Sequence, residues 1–249
     1  MSGFVQPLAV ASLVEVRGLS HLYETGQSSV AALRQVDLEL RPGERVALMG
    51  RSGSGKTTLL GVLAGLETPT LGRVLVAGHD LGRLSRRERD AFRRRVVGYV
   101  WQEAGVGLLP ALSVLQNVML PMLSAAGSMH ERLDYGMQLL EALRLAPRAN
   151  DNLSELAPAQ IQRLALAVAL ANRPLLLLAD ELTAGLDWPA GGELMSDLIT
   201  LLDSTATAAI LVSHDQRVQR YVERVVVLRD GVTSGALRNA RGRAWTEAR

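Results

Sequence analysis

The chain has 249 residues, 48% of them apolar and 21% charged, a balance that suits a packed globular domain and excludes a wholly disordered chain. It has no cysteine, which excludes disulfides and thiolate metal sites, and its net charge is only +2. All but one of its 27 basic residues are arginine, so the single lysine, Lys56, marks a place where lysine itself is needed.

The N-terminal stretch MSGFVQPLAVASLVEVRG has no basic start and carries Pro7 in a short apolar run, so no secretory signal is expected and the protein is read as cytoplasmic. The longest apolar runs, LALAVALA and LLLLA, fall short of the roughly 20 residues that cross a bilayer. In LSHLYETG, Tyr23 is placed either to stack on a base or to pack in the core. Arg45 to Met49 then reads as a strand, Gly50 to Thr57 fits G-x-x-x-x-G-K-[ST], and Thr58 to Ala64 reads as a helix closed by Gly65. Gly50, Gly53 and Gly55, with Ser52 and Ser54, let backbone N–H groups curve around phosphate oxygens, and the helix start at Thr57 and Thr58 adds positive potential. Lys56 supplies a compact charge to the phosphates, and the Thr57 hydroxyl is a Mg²⁺ ligand.

Ser85-Arg-Arg-Glu88 is a capping box opening an arginine-rich helix with Arg86, Arg87, Arg89, Arg93, Arg94 and Arg95. A run of this kind is a solvated face or a contact with anionic lipid or an acidic partner; aromatic residues are 4% and none interleave with it, so no nucleic-acid partner is expected. The strand VVGYVWQ ends at Gln102, either a plain strand end or an amide near a metal. Ser113 to Gln116 and Ser128 to Glu131 are two more capping boxes. After LSELAPAQIQ comes LLLLADE, whose unbroken apolar character suits a strand buried on both faces of a parallel sheet. Its end carries Asp180, to hold Mg²⁺ through water, and Glu181, to polarise an attacking water, although the pair could also merely cap the following helix. AAILVSHD ends at His214, placed to contact the γ-phosphate and that water; His21, His79 and His130 read as surface or turn residues. From Val232 to Arg249 no periodic pattern is legible.

Together, Tyr23, GRSGSGKT, Gln102, LSELAPAQIQR, LLLLADE, AGLD and His214 resemble the ATP-binding-cassette (ABC) ATPases, in order and along nearly the whole chain. ERDAFRRRVVGYVWQ and LLPALSVLQNVMLPM resemble the branch that powers lipoprotein release, macrolide efflux and FtsE-type cell-division complexes. The resemblance implies an α/β P-loop NTPase core with an N-terminal antiparallel β region and an inserted helical subdomain. Its parts are a tail over 1–12, core over 13–102, helical subdomain with signature over 103–173, core over 174–232 and a tail over 233–249. It further implies ATP hydrolysis with Mg²⁺ held by Thr57, Gln102 and Asp180, a peripheral place at the cytoplasmic face of the membrane, and a permease subunit docking near residues 102–122.

In that family two cassettes bind head to tail, and the LSGGQ signature of one covers the ATP on the P-loop of the other. The corresponding residues here are Leu156, Ala157, Pro158, Ala159 and Gln160. Ala157 has no hydroxyl, Pro158 no N–H, and Ala159 puts a Cβ where glycine permits close approach. The expectation is a heterodimer with a cassette carrying an intact signature. Two other readings stand beside it: a slow or regulatory homodimer, and a soluble cassette acting on ribosomes or DNA, although the latter usually carries a second cassette or a long coiled coil. Leu182, where proline is usual, and Val168, where arginine is common, are two smaller departures.

Overall fold

The computed structural model describes residues 12–25, 28–124 and 127–238; the expected N-terminal tail lies outside these apart from Ser12. Two long strands, β1 (Val14–Thr25) and β2 (Ser28–Leu40), open the chain, followed by β3 (Arg45–Met49), α1 (Lys56–Leu63), β4 (Leu71–Val76) and β5 (His79–Asp80). Next come α2 (Arg86–Val96), β6 (Val97–Val100), α3 (Val114–Met119), α4 (Met129–Ala142) and α5 (Pro158–Leu170). The chain closes with β7 (Leu176–Asp180), α6 (Trp188–Thr205), β8 (Ala208–Val212), β9 (Arg224–Arg229) and β10 (Val232–Arg238).

The strands form two sheets. One is antiparallel in the order β2-β1-β4-β5; the other runs β10-β9-β3-β8-β7-β6, parallel from β9 to β6 with β10 antiparallel at its edge. The central strands are apolar throughout because both faces are covered. Val46, Leu48, Leu176, Leu178 and Ile210 pack with α1 and the antiparallel sheet. Their alternates Ala47, Leu177, Ala179 and Leu211 pack with α4, α5 and α6. Apart from α2, which precedes β6, the helices of the first two thirds after α1 fall between β6 and β7.

All three expected capping boxes form: Ser85, Ser113 and Ser128 each cap a helix and receive the side chain of Glu88, Gln116 and Glu131. The arginine-rich helix is less solvated than a bare charge run. Arg93 donates to the Gly65 carbonyl at 2.7 Å and Arg89 to that of Leu84 at 3.2 Å, so two of its guanidiniums are structural, while Arg86, Arg87, Arg94 and Arg95 are exposed. Where α5 crosses β6, Gly98 is needed for space: a Cβ there would lie 2.3 Å from the Ala169 carbonyl oxygen.

Two expectations are corrected. The chain is strand, not tail, from Val232 to Arg238, because Asp230 and Gly231 take φ of 49° and 79° and fold β10 back on β9. Residues 239–249 lie outside the described set. His21, expected at the surface, is 5% exposed. His79 and His130 are exposed, as read from the sequence.

Candidate active site

Register brings the functional strand ends together. Val212 pairs with both Leu48 and Asp180, and Val100 pairs with Ala179, so β3, β8, β7 and β6 all end on one side of the sheet. The loops leaving those ends carry Gly50 to Lys56, His214, Glu181 and Gln102.

The glycine loop has no room for side chains at its two ends. A Cβ on Gly50 would lie 2.2 Å from the Leu228 carbonyl oxygen, and one on Gly55, at φ +100°, 2.5 Å from that of Ala32. Gly53 also has positive φ, at 76°. Ser52 is exposed, whereas Ser54 is buried and tied to the β9–β10 turn through its carbonyl, which accepts from the Gly231 N–H at 3.1 Å. The Lys56 ammonium donates to the carbonyls of Gly50 and Arg51, both at 2.9 Å, which holds it over the loop.

Thr57 Oγ1 donates to Asp180 Oδ2 at 2.8 Å. Burial pushes the Asp180 carboxyl above the usual range, the Thr57 hydrogen bond opposes this, Glu181 adds to it, and Lys56 opposes it. A buried carboxylate whose charged form is disfavoured, beside a hydroxyl, fits a hard cation. Among the described residues no cluster of three His, Asp or Glu could make an all-protein metal site, and Mg²⁺ characteristically takes one or two carboxylates plus substrate phosphates. Gln102 is exposed just past β6, at the same end of the sheet.

The raised Asp180 pKa has a sign. The folded state holds this proton more tightly than the unfolded chain, so nucleotide-free stability falls as pH rises from the ordinary aspartate range through the folded value. Asp180→Asn keeps an acceptor for Thr57 and removes the charge. We expect it to raise the melting temperature of the nucleotide-free protein at neutral pH by a few degrees and to flatten its acid-side pH dependence. Thermal denaturation across pH measures both.

Glu181 follows in the left-handed region at φ 53°, unusual for a residue with a side chain, and its N–H donates to the Val212 carbonyl at 3.0 Å. That bond to β8 holds the strained backbone at the end of β7. His214 Nδ1 lies 2.9 Å from Glu181 Oε2, with the imidazole largely exposed and the carboxylate largely buried. Tyr23 is partly exposed, and its hydroxyl donates to Thr58 Oγ1 at 3.4 Å, which sets the ring beside the first turn of α1.

The start of α5 is built differently. Leu156 is buried, Ala157 takes the cap position with no side-chain acceptor, and Pro158 is the first helical residue. Gln160 reaches back so that its Oε1 accepts from the Ala157 N–H at 2.9 Å, and the Gln160 N–H is taken by the Ala157 carbonyl at 2.9 Å. Of the donors that a helix N-terminus offers an anion, the Ala159 N–H has no acceptor among the described residues, beside its own Cβ.

Two residues escaped the sequence reading. Buried Gln162 donates from Nε2 to the carbonyl of Leu182, linking α5 to the segment that follows Asp180 and Glu181. Arg163 is buried with its guanidinium on Asp197 of α6 and on the Leu143 carbonyl at 3.2 Å, joining α4, α5 and α6. Their signal is two polar side chains entering an otherwise apolar helix, which only pays if both find partners.

The family profile described as ABC transporter matches residues 33–184. A lipoprotein-releasing system ATP-binding protein of Zymomonas mobilis is 38% identical over 225 residues, 90% of this chain and 96% of that protein. A macrolide export ATP-binding/permease protein of Rhodopseudomonas palustris is 39% identical over 221 residues, 89% of this chain but 33% of that protein. Among solved structures, a dimeric ATP-binding cassette in a post-hydrolysis state bound to ADP and Pi superposes with a TM-score of 0.83 at 34% identity, covering 90% of this chain and 98% of that one.

Proposed function

The chain belongs to the ABC transporter family as an ATP-binding, ATP-hydrolysing subunit, and on that basis we propose that it drives a separate membrane permease as one half of an asymmetric pair of cassettes. The observation that carries the asymmetry is the contrast between its two faces. The P-loop face gathers Lys56, Thr57, Asp180, Glu181 and His214 at one sheet end, whereas the α5 face lacks a cap hydroxyl and has lost the N–H at Pro158. This chain therefore receives a signature from its partner and offers a poor one in return.

In this reading Gly50 to Thr58, including Ser52, Gly53, Ser54 and Gly55, wrap the phosphates, and Tyr23 stacks on adenine. Thr57, Asp180 and Gln102 would hold Mg²⁺. When bound, Mg²⁺ supplies charge that offsets the β- and γ-phosphate oxygens. Glu181 accepts a hydrogen bond from the attacking water and takes its proton, and His214 holds the Glu181 carboxylate in place through Nδ1 while its Nε2 faces the γ-phosphate.

Residues 103–173 serve as a helical subdomain. No helix among the described residues is long and apolar enough to cross a membrane, so the permease is a different chain or segment. Trp101, Val106, Leu109, Leu120 and Leu123 are exposed on and around residues 102–122, which supports that stretch as its docking surface and a peripheral place at the cytoplasmic membrane face. The macrolide export relative, whose name joins ATP-binding and permease functions in one protein of which this chain spans 33%, supports the same division of labour.

Co-expression tests the pairing. Affinity-tagged chain is expected to recover a second, different cassette in equal amount, with ATPase of the isolated chain at least tenfold below that of the complex. Full activity of the isolated chain would sink the asymmetric reading.

A further inference from the structure

β1 reaches Tyr23 through an irregular stretch. Its register against β2 shifts between Leu19 and His21 and again between His21 and Leu22. Such irregularities re-aim side chains near functional sites. Here the stretch is fastened to the loop that follows α1: the Leu22 N–H donates to Thr70 Oγ1 at 3.1 Å, and the Thr70 N–H donates to the Ser20 carbonyl at 3.1 Å.

His21 lies inside this irregularity. It is 5% exposed, its Nδ1 is buried with no hydrogen-bond partner among the described residues, and its Nε2 is 3.9 Å from Glu67 Oε2 in the same loop. A buried imidazole nitrogen without a partner is costly, so an apolar ring would serve better if packing were the only task. What His21 does contact is Tyr23: the ring centroids are 4.7 Å apart with planes at 79°, a perpendicular pair of the kind that adds to simple burial. Tyr23 is thus held at two points, by its hydroxyl on Thr58 in the first turn of α1 and by its ring against His21.

We infer that His21 is a positioning residue for base recognition: by bracing the Tyr23 ring perpendicular to itself it fixes the orientation in which Tyr23 receives the adenine ring of ATP. His21 is held beside Glu67 in the loop after α1 and meets the nucleotide site through the Tyr23 ring, so its effect is expected on the base more than on the phosphates. It rests on Tyr23 being the residue that contacts the base.

The test compares ATP with inorganic tripolyphosphate, which has the phosphates and no base, by calorimetry on the full chain. His21→Leu, which keeps apolar volume and removes the aromatic contact, is expected to weaken ATP binding about three- to tenfold, the loss of one aromatic pair, and to leave tripolyphosphate unchanged. Tyr23→Ala should lose at least as much, and the double variant no more than Tyr23→Ala alone. His21→Phe, which restores a ring, should recover most of the affinity. Should His21→Leu fold poorly, histidine ring resonances of the unaltered protein give the same answer: of its four histidines, His21 should shift with ATP and not with tripolyphosphate. Equal ATP affinity in His21→Leu, or a His21 resonance moved equally by both ligands, overturns the inference while leaving the role of Tyr23 intact. If Tyr23→Ala also binds ATP normally, the base-stacking role itself is wrong.

Discussion

Glu181→Gln is expected to lower ATP hydrolysis by the assembled complex at least 100-fold while leaving ATP binding intact. General-base catalysis contributes about 10² to 10⁴ in rate. The substitution isolates that contribution because the amide has the carboxylate's shape. Its oxygen can still accept from His214, which lies 2.9 Å from the present Glu181 Oε2, and the backbone keeps its Val212 partner and its φ of 53°. What is lost is the ability to take a proton from water. ATP should then trap the complex in a long-lived bound state, visible as nucleotide that survives gel filtration, and single-turnover assays should show no burst. The asymmetric reading adds a directional demand: the matching substitution in the partner cassette should change the rate only a few-fold, since its ATP faces the α5 start of this chain. If Glu181→Gln leaves the rate of the complex unchanged, the fast site is not on this chain.

Much of this site was legible because local chemistry fixes it. The glycine loop requires positive φ, which occurs at Gly53 and Gly55, and close backbone approach, which occurs at Gly50 and Gly55. The strands ending at Met49, Asp180 and Val212 are apolar on both faces because two layers of packing cover them, so their ends could be placed from the sequence. Side-chain caps placed the starts of α2, α3 and α4. Illegible features depend on partners far along the chain. His21 reads as a surface or turn residue and is buried beside the loop at Glu67 to Thr70. Gln162 finds Leu182 and Arg163 finds Asp197 only once α5 is docked. The strand β10 did carry a signal, Asp230-Gly231, the favoured pair of a two-residue hairpin, but its own residues do not alternate clearly in polarity.

Restoring the signature should raise activity without raising stability, which separates a catalytic defect from a folding one. In the triple variant Ala157→Ser, Pro158→Gly and Ala159→Gly, a cap hydroxyl returns, worth about 1 kcal/mol. Against this, two glycines in the first turn replace a proline that suits that position and an alanine, at a cost of up to about 1 kcal/mol each. The melting temperature should therefore stay level or fall slightly. The chemistry moves the other way. The hydroxyl at position 157 and the N–H at position 158 come back beside the backbone N–H of position 159, and the Cβ that limits close approach at 159 is gone. Losing one preorganised donor to a developing oxyanion typically costs 10² to 10³ in rate. Even partial recovery should thus lift the ATPase of the isolated chain, now able to complete its own site in a pair of like copies, by about tenfold or more. In the mixed complex the gain should be no more than about twofold, because one site is already served by the partner. A variant that folds but gains nothing in either setting would place the asymmetry somewhere other than the start of α5.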